Sequence, residues 1–227
     1  MSVVPLVVAQ TVVMTEGDFE KAGGRQGRTL LIRGFDARQL VGSEPNLSYE
    51  LRVGQEYKDH RDGSKWPVTE GEPIALLPGA AVIIETVESI HMPKGMFGYI
   101  VPKVTWLQKG ISNTLSKVDA GYNGRLLVTI FNLGKNKEYL HLHEAFCSLV
   151  IHDVAAGVHL YEKGEKRLVG PDRRRKLWQK ARNWLEANPA TVHVILIVAT
   201  TMLTIVTAGL AIVEVHLTHL LPQGSGR

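Results

Sequence analysis

The sequence predicts an all-β domain followed by a basic helix and one long apolar helix, and three observations predict it. From Leu30 to Val154 short alternating or apolar runs are separated at regular spacing by Gly, Pro and Asn-Gly, the punctuation of a closed or double-sheet β architecture. From Ala187 to Val213 run 27 residues without a formal charge. At about 1.5 Å of rise per residue, about 20 residues cross a hydrocarbon core, so this stretch is long enough to span one. Between the two lies a concentrated block of basic residues. Residues 1–162 carry 16 Lys and Arg against 18 Asp and Glu, whereas residues 163–182 carry nine basic side chains against two acidic ones. The net charge of +4 therefore belongs to one short segment beside an apolar stretch, and it points to a membrane surface and away from nucleic acid.

A chain of 227 residues with 44% hydrophobic content buries one sizeable core. The single cysteine, Cys147, excludes an internal disulfide and a cysteine-rich zinc site. Met1 to Met14 is apolar but contains Pro5 and lacks a basic start, so it reads as a strand or docking segment, not a signal peptide. Thr15 to Arg28, with Gly23, Gly24 and Gly27, reads as a loop or a frayed short helix. The expected strands are Leu30–Ile32, Tyr49–Val53, Ile74–Leu77, Ala81–Ile90, Gly98–Val101, Leu126–Phe131 and Phe146–Ile151. His141 and His143 sit two apart in a strand-like run and so face one way; with no third ligand nearby they read as a solvated pair.

The stretch with most chemical content is N-T-L-S-K-V-D-A-G-Y-N-G-R-L-L-V-T-I-F-N, Asn113 to Asn132. Asn123-Gly124 has the residue types of a type I′ turn, which would place Asp119 and Tyr122 at a tight hairpin. Such a hairpin can offer backbone groups to a flat polar ligand, a ring to a sugar and a carboxylate to a water; closing an ordinary surface turn is the alternative. V-D-A-G-Y-N-G-R resembles the I-D-P-G-F-x-G hairpin of the dCTP deaminases and the I-D-x-D-Y-x-G hairpin of the trimeric dUTPases. I-R-G-F-D-A-R-Q-L and S-Y-E-L-R-V-G within Leu30–Gly54 are similar to the deaminase P-F-D and S-x-D-L-R-L-G. L-L-P-G-A-A-V-I-I-E-T-V-E-S-I-H-M-P is similar to its L-x-P-G strand and turn, and the run ending L-V-I resembles the shared late strand.

The resemblance implies a jelly-roll-like, distorted barrel over residues 29–161, a homotrimer whose sites draw on neighbouring subunits, and a pyrimidine nucleotide as ligand. Carried over residue by residue, it implies Asp119 as the catalytic carboxylate if the site is active. As nucleotide contacts it implies Tyr122, Asn123, Gly124, Lys103, Thr105, Gln108, Glu50 and Thr129. Thr129 stands where deaminases present the glutamate of T-L-E-L as general base, and a threonine hydroxyl takes no proton at neutral pH. In P-K-V-T-W-L-Q-K-G-I, Val104 and Thr105 replace the serines of G-R-S-S-L-A-R-L-G-L, Gln108 replaces its second arginine, and only Lys103 keeps the charge. The late-strand arginine and glutamine of the dUTPase pattern fall on Ala145 and Ser148, and the glycine-rich arm is replaced by the basic segment. The resemblance thus implies a degenerate nucleotide-binding or regulatory module, with a divergent active deaminase or diphosphatase as the alternative, and a ligand-free assembly module if Trp106 closes the pocket. No resident cofactor is implied; Mg2+ enters only with a bound nucleoside triphosphate.

The organisation expected is an N-terminal segment over 1–28, the β-domain over 29–161, a basic linker and helix over 162–189, the span over 190–213 and a tail over 214–227. Asp172 caps the basic helix, in which Leu177, Trp178, Ala181, Trp184 and Leu185 form one apolar stripe, the pattern of an interfacial helix contacting lipid. Asn188-Pro189 breaks it before the span. The charge asymmetry across the span puts the β-domain on the cytoplasmic side of a C-terminal, single-pass anchor. Thr200, Thr204 and Ala208 form a small-residue row that permits close helix approach in lipid.

Overall fold

The computed structural model describes residues 2–154, 158–171, 185 and 188–220, with side chains through residue 210. It contains two compact units, Met1–Lys176 and Leu177–Arg227. In the first, the described residues form thirteen strands, beginning with β1 (Val12–Val13), β2 (Leu30–Arg33), β3 (Leu40–Val41), β4 (Ser48–Asp59), β5 (Lys65–Pro67), β6 (Ile74–Leu76) and β7 (Ala81–His91). Then come β8 (Met96–Pro102), β9 (Ile111–Asn113), β10 (Ser116–Val118), β11 (Asn123–Asn132), β12 (Glu138–Leu140) and β13 (Ala145–Asp153). Helix α1 (Glu16–Lys21) starts on a Thr15 cap, whose hydroxyl accepts from the Asp18 N–H. A one-turn helix α2 (Val104–Leu107) follows β8. All seven strands expected from the sequence form, most of them longer than the apolar run that announced them.

The main sheet runs β1–β2–β7–β4–β13–β8–β10, with β11 added to β7 and β9 added to β11; β3 and β5 flank β4, and β12 pairs with β6. Strand β4 serves both halves. Tyr49 to Arg52 pair with β13, whereas Val53 and Tyr57 to Asp59 pair with β7, and the register slips between Val53 and Tyr57. Gly54 permits this corner: a Cβ there would lie 2.4 Å from the Glu85 carbonyl oxygen. Gly54→Ala is therefore expected to cost ~1–3 kcal/mol, read as a lower thermal midpoint with the fold retained.

The core lies between the inward faces. In β7 every second residue is buried, Val82, Ile84, Thr86, Glu88 and Ile90, and the apolar ones pack with Leu30, Ile32, Leu51, Val53, Ile100, Val128, Ile130, Leu149 and Ile151. Each such aliphatic side chain contributes about 1.5–3 kcal/mol by leaving water. The N-terminal segment docks as expected: Val4 and Leu6 are buried, the Val4 N–H donates to the Ile151 carbonyl at 2.8 Å, and β1 pairs in parallel with β2. Thr15–Arg28 holds α1 and a short 3-10 turn.

His91, at the end of β7, lies edge-on to Phe19 at 5.7 Å, and its buried Nε2 has no hydrogen-bond partner. Burial, then the Arg33 guanidinium, hold its pKa below the ordinary 6.5. Between the two values the unfolded chain binds more protons than the folded one, so stability rises with pH there. Stability is thus expected to be full above 6.5 and to fall as the pH drops below it, and His91→Phe should flatten that slope in thermal melts taken between about pH 7 and 5.

The second unit contains α3 (Pro189–Leu220), whose Pro189–Leu210 portion, 22 residues of mean hydropathy 2.1, is long and apolar enough to cross a membrane. Pro189 sits at the first helical position, where its missing N–H costs nothing. The hydroxyls of Thr200, Thr201, Thr204 and Thr207 all donate to carbonyls one turn back, which leaves no unpaired polar hydrogen on those side chains. The helix continues beyond the expected end at Val213. The basic amphipathic helix expected over Asp172–Asn188 lies, but for Leu185 and Asn188, outside the described residues.

Candidate functional site

The turn before β11 differs from the hairpin expected on Asn123-Gly124. The Tyr122 N–H donates to the Asp119 carbonyl at 3.0 Å, and Gly121, third of the four residues, has φ +80°, so a type II turn closes over Asp119–Tyr122. Asn123 and Gly124 already belong to β11. Nor is this a two-stranded hairpin, because β10 pairs with β8 and β11 pairs with β7 and β9. The turn is a corner between the two halves of the barrel. Its backbone is engaged within the chain: Gly121 N–H to Met92 at 3.0 Å, Met92 N–H to Tyr122 at 2.8 Å, Arg25 Nη2 to the Gly121 carbonyl at 3.1 Å and Tyr161 N–H to the Ala120 carbonyl at 2.8 Å.

Two of the sequence-predicted side chains at this end have contrasting positions. Asp119 is half-exposed, with Lys117 Nζ 2.6 Å from its carboxylate, and that carboxylate raises the pKa of the Lys117 ammonium. Tyr122 is buried, its ring tilted against Tyr161 at 5.4 Å and its hydroxyl donating to the Arg125 carbonyl; burial pushes the phenol pKa up. Its face is packed inside the chain and not offered to a ligand in this state.

Thr129 lies on the half-buried outer side of β11, flanked by Leu127 and Phe131 and opposite Ile83 of β7. The carboxylate on that side of β7, Glu85, pairs with Leu127 in register and is held by Arg125 Nη1 at 2.6 Å.

The remaining predicted residues gather at the other end of β8. Glu50 on β4 and Lys103 after β8 reach across β13 to form an ion pair at 2.6 Å, both side chains about one-fifth exposed. Thr105 and Gln108 are exposed on and after α2. Trp106 is buried beneath them, its indole donating to the Ala145 carbonyl at 3.3 Å, so it fills core at this end and is not part of the Asp119 turn. Lys109 pairs with Glu138 at 3.2 Å and lies over the Trp106 ring. Cys147 is fully buried, and burial raises its thiol pKa. Since Val118 pairs with Gly98 while Lys103 follows Pro102, the two groups of residues are separated by about 16 Å of strand within one copy.

His141 and His143 do not share a strand. They lie in the exposed turn between β12 and β13, where His143 has φ 62°. Among the described residues no group of three or more His, Cys, Asp or Glu is placed to hold a metal ion.

A buried ionic cluster, not expected from the sequence, sits at the start of β4. Glu88, fully buried, accepts from Arg52 Nε at 2.7 Å, from the Arg52 N–H at 3.0 Å and from the Tyr49 hydroxyl at 3.3 Å. Arg52 also reaches Asp36 at 3.3 Å and the Gly34 carbonyl. This cluster ties the G-F-D loop to β4 and β7, which explains why I-R-G-F-D and S-Y-E-L-R-V-G occur together.

Residues 25–154 match the family model described as dCTP deaminase-like. The chain is 26% identical over 125 residues to a dCTP deaminase of Thermococcus sibiricus, covering 55% of this chain and 76% of that protein. It is 30% identical over 79 residues to the deoxyuridine 5'-triphosphate nucleotidohydrolase of Escherichia phage T5, covering 34% of this chain and 53% of that one. Among solved structures it is similar to the EIAV dUTPase, with 19% identity and a TM-score of 0.42 over 60% of this chain and 97% of that one. The match spans more than half of the sequence and contains every candidate site residue: the chain belongs to the dCTP deaminase-like family.

Proposed function

We propose that the β-domain is a nucleotide-binding module that holds a pyrimidine nucleotide without turning it over, in a homotrimer tethered to a membrane by α3. The observation that carries this reading is the chemistry at Thr129. Deamination needs a base to take the proton of the attacking water; the side chain in that position is a hydroxyl between two apolar residues, and Glu85 on the same side is neutralised by Arg125. The phosphate side supports it. Both cations of the segment after β8 are already paired, Lys103 with Glu50 and Lys109 with Glu138, so the charge stabilisation that dominates phosphoryl chemistry is weak here. A Mg2+ ion would arrive on the triphosphate itself, since no cluster of protein carboxylates is in place to hold one among the described residues.

The separation of the two residue groups supports the trimer. Glu50, Lys103, Thr105 and Gln108 lie at one end of β8 and Asp119, Tyr122, Asn123 and Gly124 at the other, so one ligand meets both only when a second copy brings its corner to α2. Val104 and Leu107, 67% and 45% exposed on α2, offer an apolar surface for that contact. The basic residues that precede α3 favour a cytoplasmic β-domain. A second reading, a divergent diphosphatase, is favoured by Asp119, which remains half-exposed where it can orient a water.

A thermal-shift panel of deoxy- and ribonucleotides on detergent-solubilised full-length protein tests the proposal. Stabilisation by a pyrimidine nucleotide that grows with its concentration is expected. A flat response to every nucleotide would contradict it.

A further inference from the structure

The segment after β13 is not a free linker. It is tied to the β-domain at both ends, by the Tyr161 N–H to Ala120 bond at 2.8 Å and by the Lys65 N–H to the Pro171 carbonyl at 3.0 Å. Leu168 is buried between them, and Gly170 sits so close that a Cβ would lie 2.3 Å from the Gly63 carbonyl oxygen. In the middle of this strap Glu165 seats on β11. Its Oε1 accepts from the Arg125 N–H at 3.0 Å, and its Oε2 lies 3.5 Å from Arg167 Nε. Gly124, φ +143°, makes the approach sterically feasible: a Cβ there would lie 2.5 Å from Glu165 Cγ.

Glu165 also borders two clefts. One, of about 300 Å³, carries Arg25, Arg33 and Lys163 against Glu162, beside Asn123 and Tyr161. The other, of about 710 Å³, carries Arg33, Lys65, Arg125 and Arg167, of which Arg33 is paired with Glu16, Lys65 with Glu56 and Arg125 with Glu85, while the exposed Arg167 faces Glu165 itself. Removing the Glu165 carboxylate would take one negative charge from each cleft and leave the Arg125 N–H, at the larger one, without its acceptor, the conditions that favour an anion.

We propose that Glu165 is an internal stand-in for the anionic part of a ligand. It occupies an anion site beside the Asp119–Tyr122 turn, and a phosphate-bearing ligand binds there by displacing it and lifting the strap. The inference rests on the nucleotide-binding reading above and adds to it that the empty state is held closed by the chain itself. It differs from a lid, because a lid closes over bound ligand while this strap opens.

The test uses full-length protein in detergent, with dCTP and dUTP as probes and inorganic pyrophosphate to separate a phosphate from a nucleotide requirement. Glu165→Gln should keep the shape, lose the charge and tighten binding of these anions by about tenfold, the value of one charge-assisted hydrogen bond. Glu70→Gln, the same charge change at an exposed residue outside both clefts, should leave affinity within about twofold. Trypsin should cut after Lys163 and Lys166 faster when the ligand is present. Equal affinity of wild type and Glu165→Gln, or slower cutting with ligand bound, would overturn the strap proposal and leave nucleotide binding standing. Tighter binding of pyrophosphate alone would keep the anion site and remove the nucleotide from it. No binding of any probe by either protein would overturn both readings.

Discussion

Arg52→Met is expected to cost the β-domain about 3–5 kcal/mol, a large fraction of the roughly 5–15 kcal/mol by which an ordinary domain is stable. The cost comes from Glu88 and far less from the arginine's own contacts. The Glu88 carboxylate has no exposure, and with Arg52 Nε gone it keeps only the Arg52 N–H and the Tyr49 hydroxyl to compensate for lost hydration. Glu88→Gln should be milder, since an amide oxygen still accepts from the Arg52 N–H and the stranded guanidinium retains Asp36. The double variant Arg52→Met with Glu88→Gln should recover part of the loss, because no uncompensated charge then remains buried. Chemical denaturation of the four proteins reads this directly; an additive double variant would show that the two side chains are not a coupled pair.

Thr129→Glu is expected to leave deamination of dCTP at background. A general base is worth about 10²–10⁴ in rate, but only when the water and the phosphates are already held. On the resemblance to the deaminases, Val104 replaces a serine that holds the water and Gln108 an arginine that holds phosphate, while Lys103 is already paired with Glu50. Groups that act as a unit do not return function one at a time. Ammonia release from dCTP, followed at enzyme concentrations that would register a rate several orders below that of a working deaminase, checks this. A measurable rate in the single variant would mean that the remaining contacts are intact after all.

Much of the fold was legible because buried strands alternate. Val82, Ile84 and Ile90 set the inward phase of β7, and the same phase places Glu88 inside; an acid at an inward position of an otherwise apolar pattern was a readable signal of a buried partner. Its partner was not readable, since Arg52 lies 36 residues away and meets it only through strand pairing. Asn-Gly is a strong local turn signal, but the turn forms on D-A-G-Y, which carries its own: a glycine third in a four-residue turn supplies the positive φ of type II. Tertiary pairing of Asn123 with His91 then drew Asn-Gly into β11. Helix α2 spans four residues, too few for any periodicity to appear. The strap was read as a linker because its docking depends on single residues, Leu168, Gly170 and Glu165, and not on a pattern. The motifs that carry the candidate residues were legible and the division of those residues between two ends of β8 was not, because no local pattern reports which strand ends lie apart.

Under the proposed function a pyrimidine nucleotide is bound and not consumed. Equilibrium titration of full-length protein with dCTP and dUTP, followed by chromatography of the recovered nucleotide, tests it most directly, with Asp119→Ala alongside. Saturable binding to the wild type, weaker binding to Asp119→Ala and nucleotide recovered unchanged from both are expected. Conversion of dCTP or dUTP by the wild type that disappears in Asp119→Ala would contradict it and establish an enzyme in its place.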